Sequence, residues 1–169
     1  MNQNQAQQMN QMHQAINLNH ALSVRSDVSI GQSLLKVDQI IEEARRHGYE
    51  SVALVDDMTV SNMVDFTHRA RQAGLKPLIG CCLRVADHPI YRKAAHLASA
   101  KSNPCVMIKV FPASDIGMTA LFKLLSKAHR ERYVSRQTRV GWDDVLALED
   151  VVVTTGDFQN LFGHPRHDE

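Results

Sequence analysis

The feature that most constrains the fold of this chain is a regular alternation of short apolar runs with amphipathic segments. Five runs have the length and composition of strands, at residues 21–25, 51–55, 78–85, 105–111 and 151–155. Between them, apolar residues recur every three or four positions, which predicts helices from Leu34 to Ala44, from Thr59 or Ser61 to Gly74, and from Met118 to His129. The inward positions of the last helix should be Leu121, Leu124, Leu125 and Ala128. Such alternation is typical of parallel β-α units, arranged as a barrel or an open sheet.

Local signals refine the boundaries of two of these helices. The first helix should begin with Leu34 on its apolar face. Thr59 or Ser61 can cap the second helix, whose apolar positions include Val64. The segment from Ala86 to Asn103 is the least regular, with a short helix possible over residues 91–100.

Length and composition favour one domain with tails. A chain of 169 residues that is 44% hydrophobic can bury one core, which we place at residues 18–163. Residues 1–17 are rich in Asn and Gln and lack aromatic residues, so a disordered tail is predicted, or a short helix that orders on a partner. Residues 164–169 are predicted to be a C-terminal tail.

Charge and cysteine content exclude several classes of protein. The net charge is +1, so no global field attracts nucleic acid or a membrane surface. No apolar run approaches the roughly 18 residues needed to cross a bilayer, and the polar N-terminus lacks the features of a signal peptide. Three cysteines, two of them adjacent, make a disulfide framework improbable. A cytoplasmic location without membrane partners is therefore predicted.

Five strings occur in a specific order. They are Leu22–Ser29 (LSVRSDVS), Val52–Asp57 (VALVDD), Ala73–Cys82 (AGLKPLIGCC), residues 117–133 and residues 151–156. In order and approximate spacing these strings resemble the PHP domain of bacterial DNA polymerase III alpha subunits. The third string is the most diagnostic, because the family reads Ala-Gly-Ile-Lys-Pro-Ile-Ile-Gly-Cys-Glu there.

The resemblance implies a fold. A full PHP domain is a distorted seven-stranded β/α barrel, and the resemblance reaches about its first half, ending before the family's later Asp-x-His ligands. We therefore expect an α/β fold, either a partial PHP-like β/α barrel or an open, mainly parallel sheet flanked by helices. The palm, fingers and clamp-binding regions of the polymerase have no counterpart in this sequence, so the chain by itself is not expected to polymerise DNA.

The resemblance also implies a degenerate metal site. The positions concerned are Ser23, Arg25, Asp27, Asp56, Asp57 and Cys82. Ser23 and Arg25 stand for two histidines of the family, Asp57 for a third, and Cys82 for a glutamate. A guanidinium cannot ligate a cation and repels one beside it, so no metal cofactor and no catalytic residue is predicted.

The acidic residues of this site have three readings. Asp27, Asp56 and Asp57 can simply cap helix N-termini from loops. Alternatively, Arg25 pairs with Asp56 or Asp57 and takes the position of the metal charge. A residual Mg²⁺ or Zn²⁺ site including Cys82 is the third reading, although Cys82 otherwise has the character of a small buried residue.

A second candidate site is a cationic stretch around Tyr133. Its basic residues include Lys127, Arg130, Arg132, Arg136 and Arg139. They can meet nucleic-acid phosphates, or they can be the solvated end of a helix, which the sequence favours.

The loss of metal ligands favours a non-catalytic PHP-like module of DNA replication. Such a module can be encoded by a phage or mobile element, or it can be one piece of a split polymerase. We expect it to bind a polymerase, or its proofreading or accessory subunits. The alternatives are a metal-dependent phosphoesterase with a rearranged site and a small nucleic-acid-binding protein. Half a barrel should also leave an open edge that a second copy or a polymerase-associated protein covers.

Overall fold

The computed structural model describes residues 19–86, 105–131, 133–134 and 137–155. The strands are β1 His20–Val24, β2 Ser51–Asp57, β3 Lys76–Ala86, β4 Cys105–Pro112, β5 Tyr133–Val134, β6 Gln137–Thr138, β7 Val140–Gly141 and β8 Val151–Thr155. The helices are α1 Val37–Arg46, α2 Met63–Gln72, α3 Asp115–Glu131 and α4 Trp142–Leu146. The predicted tails at 1–17 and 164–169 and the predicted short helix within 91–100 lie outside these residues.

The main sheet has the order β1-β2-β3-β4-β8, with β7 added beside β3. Strands β1, β2 and β3 are parallel, and β7 is parallel to β3. Strand β4 runs antiparallel to β3, and β8 runs antiparallel to β4. The predicted α/β class is confirmed, as a curled, mixed sheet flanked by helices.

The expected parallel alternation holds for the first three strands and fails at β4. Strands β2, β3 and β4 are all largely apolar and buried, and such a composition serves parallel and antiparallel pairs alike. The hydrophobic pattern therefore predicted where β4 lies along the chain but could not predict its direction.

Two core clusters hold the helices on the sheet. Val52 and Leu54 of β2 pack with Phe66 and Ala70 of α2 in one cluster, which also includes the buried face of α1. The second cluster joins β3, β4 and β7 to the predicted inward positions of α3, which are Leu121, Leu124, Leu125 and Ala128. Successive strand residues point to opposite faces, so Ala53, Val55 and Cys82 form a third cluster on the other face of the sheet.

Helix α1 begins three residues later than predicted, at Val37. Leu34 is 92% exposed and lies in a loop whose backbone is held by the hydrogen bond from the Asp27 N–H to the Leu35 carbonyl. The backbone N–H of Lys36 donates to the Gln39 side chain at the start of the helix. Leu34 continues the apolar spacing of the helix, but its backbone belongs to the loop, so its inclusion in the helix was wrong.

Helix α2 begins at Met63, and the residue before its first turn is Asn62 rather than the predicted Thr59 or Ser61. The Asn62 amide instead donates to Ser26 Oγ at 3.0 Å, which ties the start of α2 to the loop after β1. The helix buries Phe66 and Ala70, whereas Val64 is 71% exposed. A single aromatic residue thus determines which face is buried.

Helix α3 spans Asp115–Glu131 and is packed closely against the turn before β8. A Cβ added at Gly117 would lie 2.2 Å from the Asp150 carbonyl oxygen, so only glycine fits there without a shift. Ser114 Oγ donates to the Asp150 carboxylate at 2.9 Å. In the part of the chain that the structure describes, no helix has the length and hydropathy to span a bilayer.

Candidate functional site

The candidate site lies where β2 ends, and its two acidic residues point to opposite faces of the sheet. Asp56 follows the phase of Val52 and Leu54, which face the helices, whereas Asp57 follows Ala53 and Val55 on the opposite face. Both carboxylates are largely buried, but they meet different partners. The pair of adjacent acids therefore forms two separate arrangements.

Asp56 organises the loop that follows β1. Its Oδ1 accepts the Ser26 backbone N–H at 2.7 Å and the Ser29 hydroxyl at 2.7 Å. Its Oδ2 accepts the Ser26 hydroxyl at 2.8 Å. Ser26 Oγ accepts from the Asn62 amide and Ser29 Oγ accepts from the Asp57 backbone N–H, so both hydroxyl protons are available to Asp56.

Asp57 faces a cationic environment on the opposite face. Its Oδ2 accepts from Gln32 Nε2 at 2.9 Å and forms an ion pair with Arg84. The side chains of Asp57 and Arg84 are 8% and 20% exposed. Burial raises the pKa of Asp57 above its ordinary value, while the charges of Arg84 and then Arg25 oppose that rise. The other carboxylate oxygen, Oδ1, is buried without a hydrogen-bond partner.

Arg25 and Cys82 complete this cluster. Cys82 pairs with Asp57 in the ladder between β2 and β3, which places the two side chains next to each other on one face. The Arg25 guanidinium lies 3.4 Å from Cys82 Sγ in hydrogen-bond geometry, and its charge acts on Asp57. Three residues at positions that match metal ligands of the family therefore lie together, with Arg25 contacting Cys82 and acting on Asp57.

Arg84 was not among the residues predicted from the sequence. A signal for it was available, because Arg84 follows Cys82 by two residues in the same strand and therefore shares its face. The two remaining predicted positions, Ser23 and Asp27, are exposed at the surface. The structure thus brings together Arg25, Asp57 and Cys82, and it separates Asp56 from them by turning it to the other face.

These residues do not fit a metal centre. In residues 19–86, 105–131, 133–134 and 137–155, no three His, Cys, Asp or Glu side chains are grouped as metal ligands would be. The positive charges of Arg25 and Arg84 oppose a cation beside Asp57. The site therefore offers the Asp57 carboxylate guanidinium partners rather than further metal ligands.

The cationic stretch is largely tied to acidic neighbours where its side chains are described. Lys127 Nζ lies 3.0 Å from the Asp144 carboxylate, and Arg130 pairs with Glu131. Arg139 is buried and cannot present its charge at the surface. Arg132 and Arg136 lie outside the described side chains.

Comparison with known families decides the family of this chain. The family model of the PHP domain matches residues 21–166. The chain belongs to the PHP domain family. The resemblance found in the sequence is thereby confirmed.

Curated relatives of this PHP domain include DNA polymerase III alpha subunits from several bacteria. DNA polymerase III subunit alpha of Yersinia pestis is 28% identical over 155 residues, which are 84% of this chain and 13% of the relative. The same subunit of Borreliella burgdorferi is 25% identical over 134 residues, which are 79% of this chain and 11% of the relative. The chain thus spans about an eighth of the length of these relatives.

Solved structures with a similar arrangement are more distant. An amidohydrolase from Chromobacterium violaceum, with bound sulfate and no metal, matches with a TM-score of 0.49 at 18% identity. The match covers 68% of this chain and 34% of the amidohydrolase chain. A putative metal-dependent phosphoesterase from Bifidobacterium adolescentis has a TM-score of 0.45 at 17% identity, covering 76% of this chain and 42% of its own.

Proposed function

We propose that this chain is a non-catalytic PHP module of DNA replication that acts through contacts with other proteins. The observation that carries the proposal is the pairing of Asp57, at a ligand position of the family, with Arg84. Arg25, at a second ligand position, donates to Cys82 at a third.

Chemistry supports the non-catalytic part of this proposal. Metal-dependent phosphoester hydrolysis needs deprotonated ligands that converge on a cation and leave a coordination position for water. Here the carboxylate of Asp57 already has a cationic partner, and two guanidinium groups occupy the surroundings of that carboxylate. A metal ion would have to displace a buried ion pair and approach permanent positive charge, which makes binding unfavourable.

An apolar groove supports the protein-contact part. The groove lies between α2 and α3, and Val64 and Phe122 are its exposed apolar side chains. A neighbouring hollow that shares Met63 and Val64 with this groove is lined by His68 and Arg71, and none of the residues lining either hollow is acidic. Such a surface complements an apolar segment flanked by acidic side chains. We propose that a polymerase or its proofreading exonuclease supplies that segment, and the relatives' names support the link to a polymerase.

The metal-free reading is tested by elemental analysis of protein purified without chelator, together with a phosphodiester hydrolysis assay in added Mn²⁺ or Zn²⁺. We expect no stoichiometric metal and no hydrolysis. As a control, the triple variant R25H/D57H/C82E restores three of the four changed ligand types of the family and should bind metal more tightly than the parent. Two or more tightly bound metal ions in the parent, with hydrolysis, would refute the proposal.

Partner binding is tested separately with purified polymerase III alpha and its proofreading exonuclease, by isothermal titration calorimetry. Val64→Glu should weaken binding at least about tenfold, because it places a buried negative charge in an apolar contact. Leu146→Glu is the matched control, since Leu146 is also an exposed aliphatic residue but does not line the groove. Binding to neither protein, or equal loss in both variants, would contradict the proposal.

A further inference from the structure

Within the residues that the structure describes, strand β8 is an edge of the main sheet, and its chemistry is unusual for an edge. It pairs with β4 on one side and is the last strand in the sheet order on the other. Its sequence, Val151–Thr155, consists only of β-branched, uncharged residues. Val152 and Val153 are 54% and 46% exposed, and neighbouring residues point to opposite faces. Both faces of the strand are therefore open at the edge.

Natural sheets usually protect such edges. Lysine, proline, a bulge or an inward charge prevents an edge strand from pairing with another chain. None of these devices occurs within Val151–Thr155, whose register with β4 is continuous. The opposite edge differs, because the pairing of β1 with β2 has a register shift between Ala21 and Val24. Of the two edges, β8 is the one suited to continue the sheet.

We infer that β8 pairs antiparallel with β8 of a second copy, so that two sheets join across a twofold axis at Val153. In this register Val153 meets its own counterpart, Val152 meets Thr154, and Val151 meets Thr155. Every cross-strand pair joins uncharged β-branched residues, which favour each other across a strand pair, and no like charges are opposed. The segment is thus self-complementary, which is the requirement for a symmetric dimer.

The choice of a second copy follows from this neutral, symmetric register. A partner recognised by charge would need an ionic residue on β8 to select it, and the strand has none. A five-residue ribbon is small beside typical stable interfaces, so the dimer should be weak and depend on concentration. The inference does not depend on the proposed replication role, because a dimer can form whether or not the chain binds a polymerase.

Charge-swap variants at the axis provide the test, measured by sedimentation velocity across a concentration series. The parent should shift from monomer to dimer as concentration rises. Val153→Lys and Val153→Glu each oppose like charges at the axis and should associate at least about tenfold more weakly. An equal mixture of the two variants should recover association, because the opposed charges then differ in sign. Val64→Lys, an exposed valine on α2, is the control and should behave as the parent.

Disulfide trapping tests the register itself, on a Cys105→Ser background that leaves only buried native thiols. Val153→Cys should form an intermolecular disulfide, since directly opposed residues lie about 4.5 to 5.5 Å apart between Cα atoms. Thr155→Cys should not, because the axis places its counterpart about 13 Å away along the strands. A parent that stays monomeric, a mixture that recovers no association, or equal trapping at both positions would overturn the inference.

Discussion

Replacing Arg84 by methionine should destabilise the fold through the carboxylate that it leaves behind. Methionine keeps an unbranched apolar side chain at this position, so the change removes mainly the charge. Asp57 is then buried at 8% exposure with its ion-pair partner gone. Breaking a buried pair by removing one partner costs about 3 to 5 kcal/mol. Since Gln32 still donates to Asp57 and the site is not fully buried, we expect about 3 kcal/mol.

The two halves of this pair should respond unequally. Arg84 is 20% exposed and can turn its guanidinium towards water when Asp57 is changed to asparagine, so Asp57→Asn should cost less than Arg84→Met. The double variant should lose less stability than Arg84→Met alone, since no ionised carboxylate remains buried. As the control, Arg69→Met breaks the exposed pairs with Asp65 and Asp38 and should cost much less stability than Arg84→Met.

Acid should relieve the loss caused by Arg84→Met. Burial already raises the pKa of Asp57, and removing the charge that most opposes this rise should raise it further. The folded variant then binds a proton more readily than the unfolded chain. Its stability therefore falls as the pH rises from the pKa of Asp57 in the unfolded chain to the raised pKa in the folded variant. Urea unfolding followed by circular dichroism should give a larger loss at pH 7 than at pH 4. A loss at pH 7 no larger than that of Arg69→Met would refute the reasoning.

Three further variants test other contacts. Asp56→Asn should cost about 1 to 3 kcal/mol in urea unfolding, because both serine hydroxyls around it donate and the new amide group would lack an acceptor; an unchanged midpoint would contradict the assigned hydroxyl directions. Gly117→Ala should cost about 1 to 3 kcal/mol, since its Cβ meets the Asp150 carbonyl, and a more stable variant would contradict that contact. Arg25→Met should raise the pKa of Asp57 in a carboxyl NMR titration, but by less than Arg84→Met does; a lowered pKa would contradict the electrostatic role of Arg25.

The sequence predicted strands better than helix boundaries, for a physical reason. Strand β8 was predicted with its bounds because five consecutive β-branched residues favour an extended strand, although the strand is largely exposed. The inward residues of α3 were predicted because a strong apolar stripe allows one burial pattern. The start of α1 was wrong because Leu34 matches the helical spacing while its backbone is held by a loop. The direction of β4 depends on how neighbouring strands are connected in space, which residue spacing does not encode.

For the candidate site, the resemblance supplied the candidate positions, and the structure supplied their partners. Arg25, Asp57 and Cys82 come from different segments of the chain, and the register of β2 with β3 brings the last two together. Arg84 was missed because the family strings end before it, although alternation along β3 places it on the same face as Cys82. Partner identity in a sheet thus depends on register, a long-range property that a single sequence does not reveal.

The two adjacent aspartates have separate roles that their shared motif conceals. Asp56 fixes the loop after β1 through serine donors, and this needs no metal, which explains how the loop keeps its position when the other ligand types are changed. Asp57 lies on the opposite face, where a buried carboxylate requires a positive charge. A histidine at this position would supply no negative charge to balance Arg84 and Arg25. The change to aspartate and the presence of arginines therefore belong together, and reverting one of them alone should destabilise the site rather than restore metal binding.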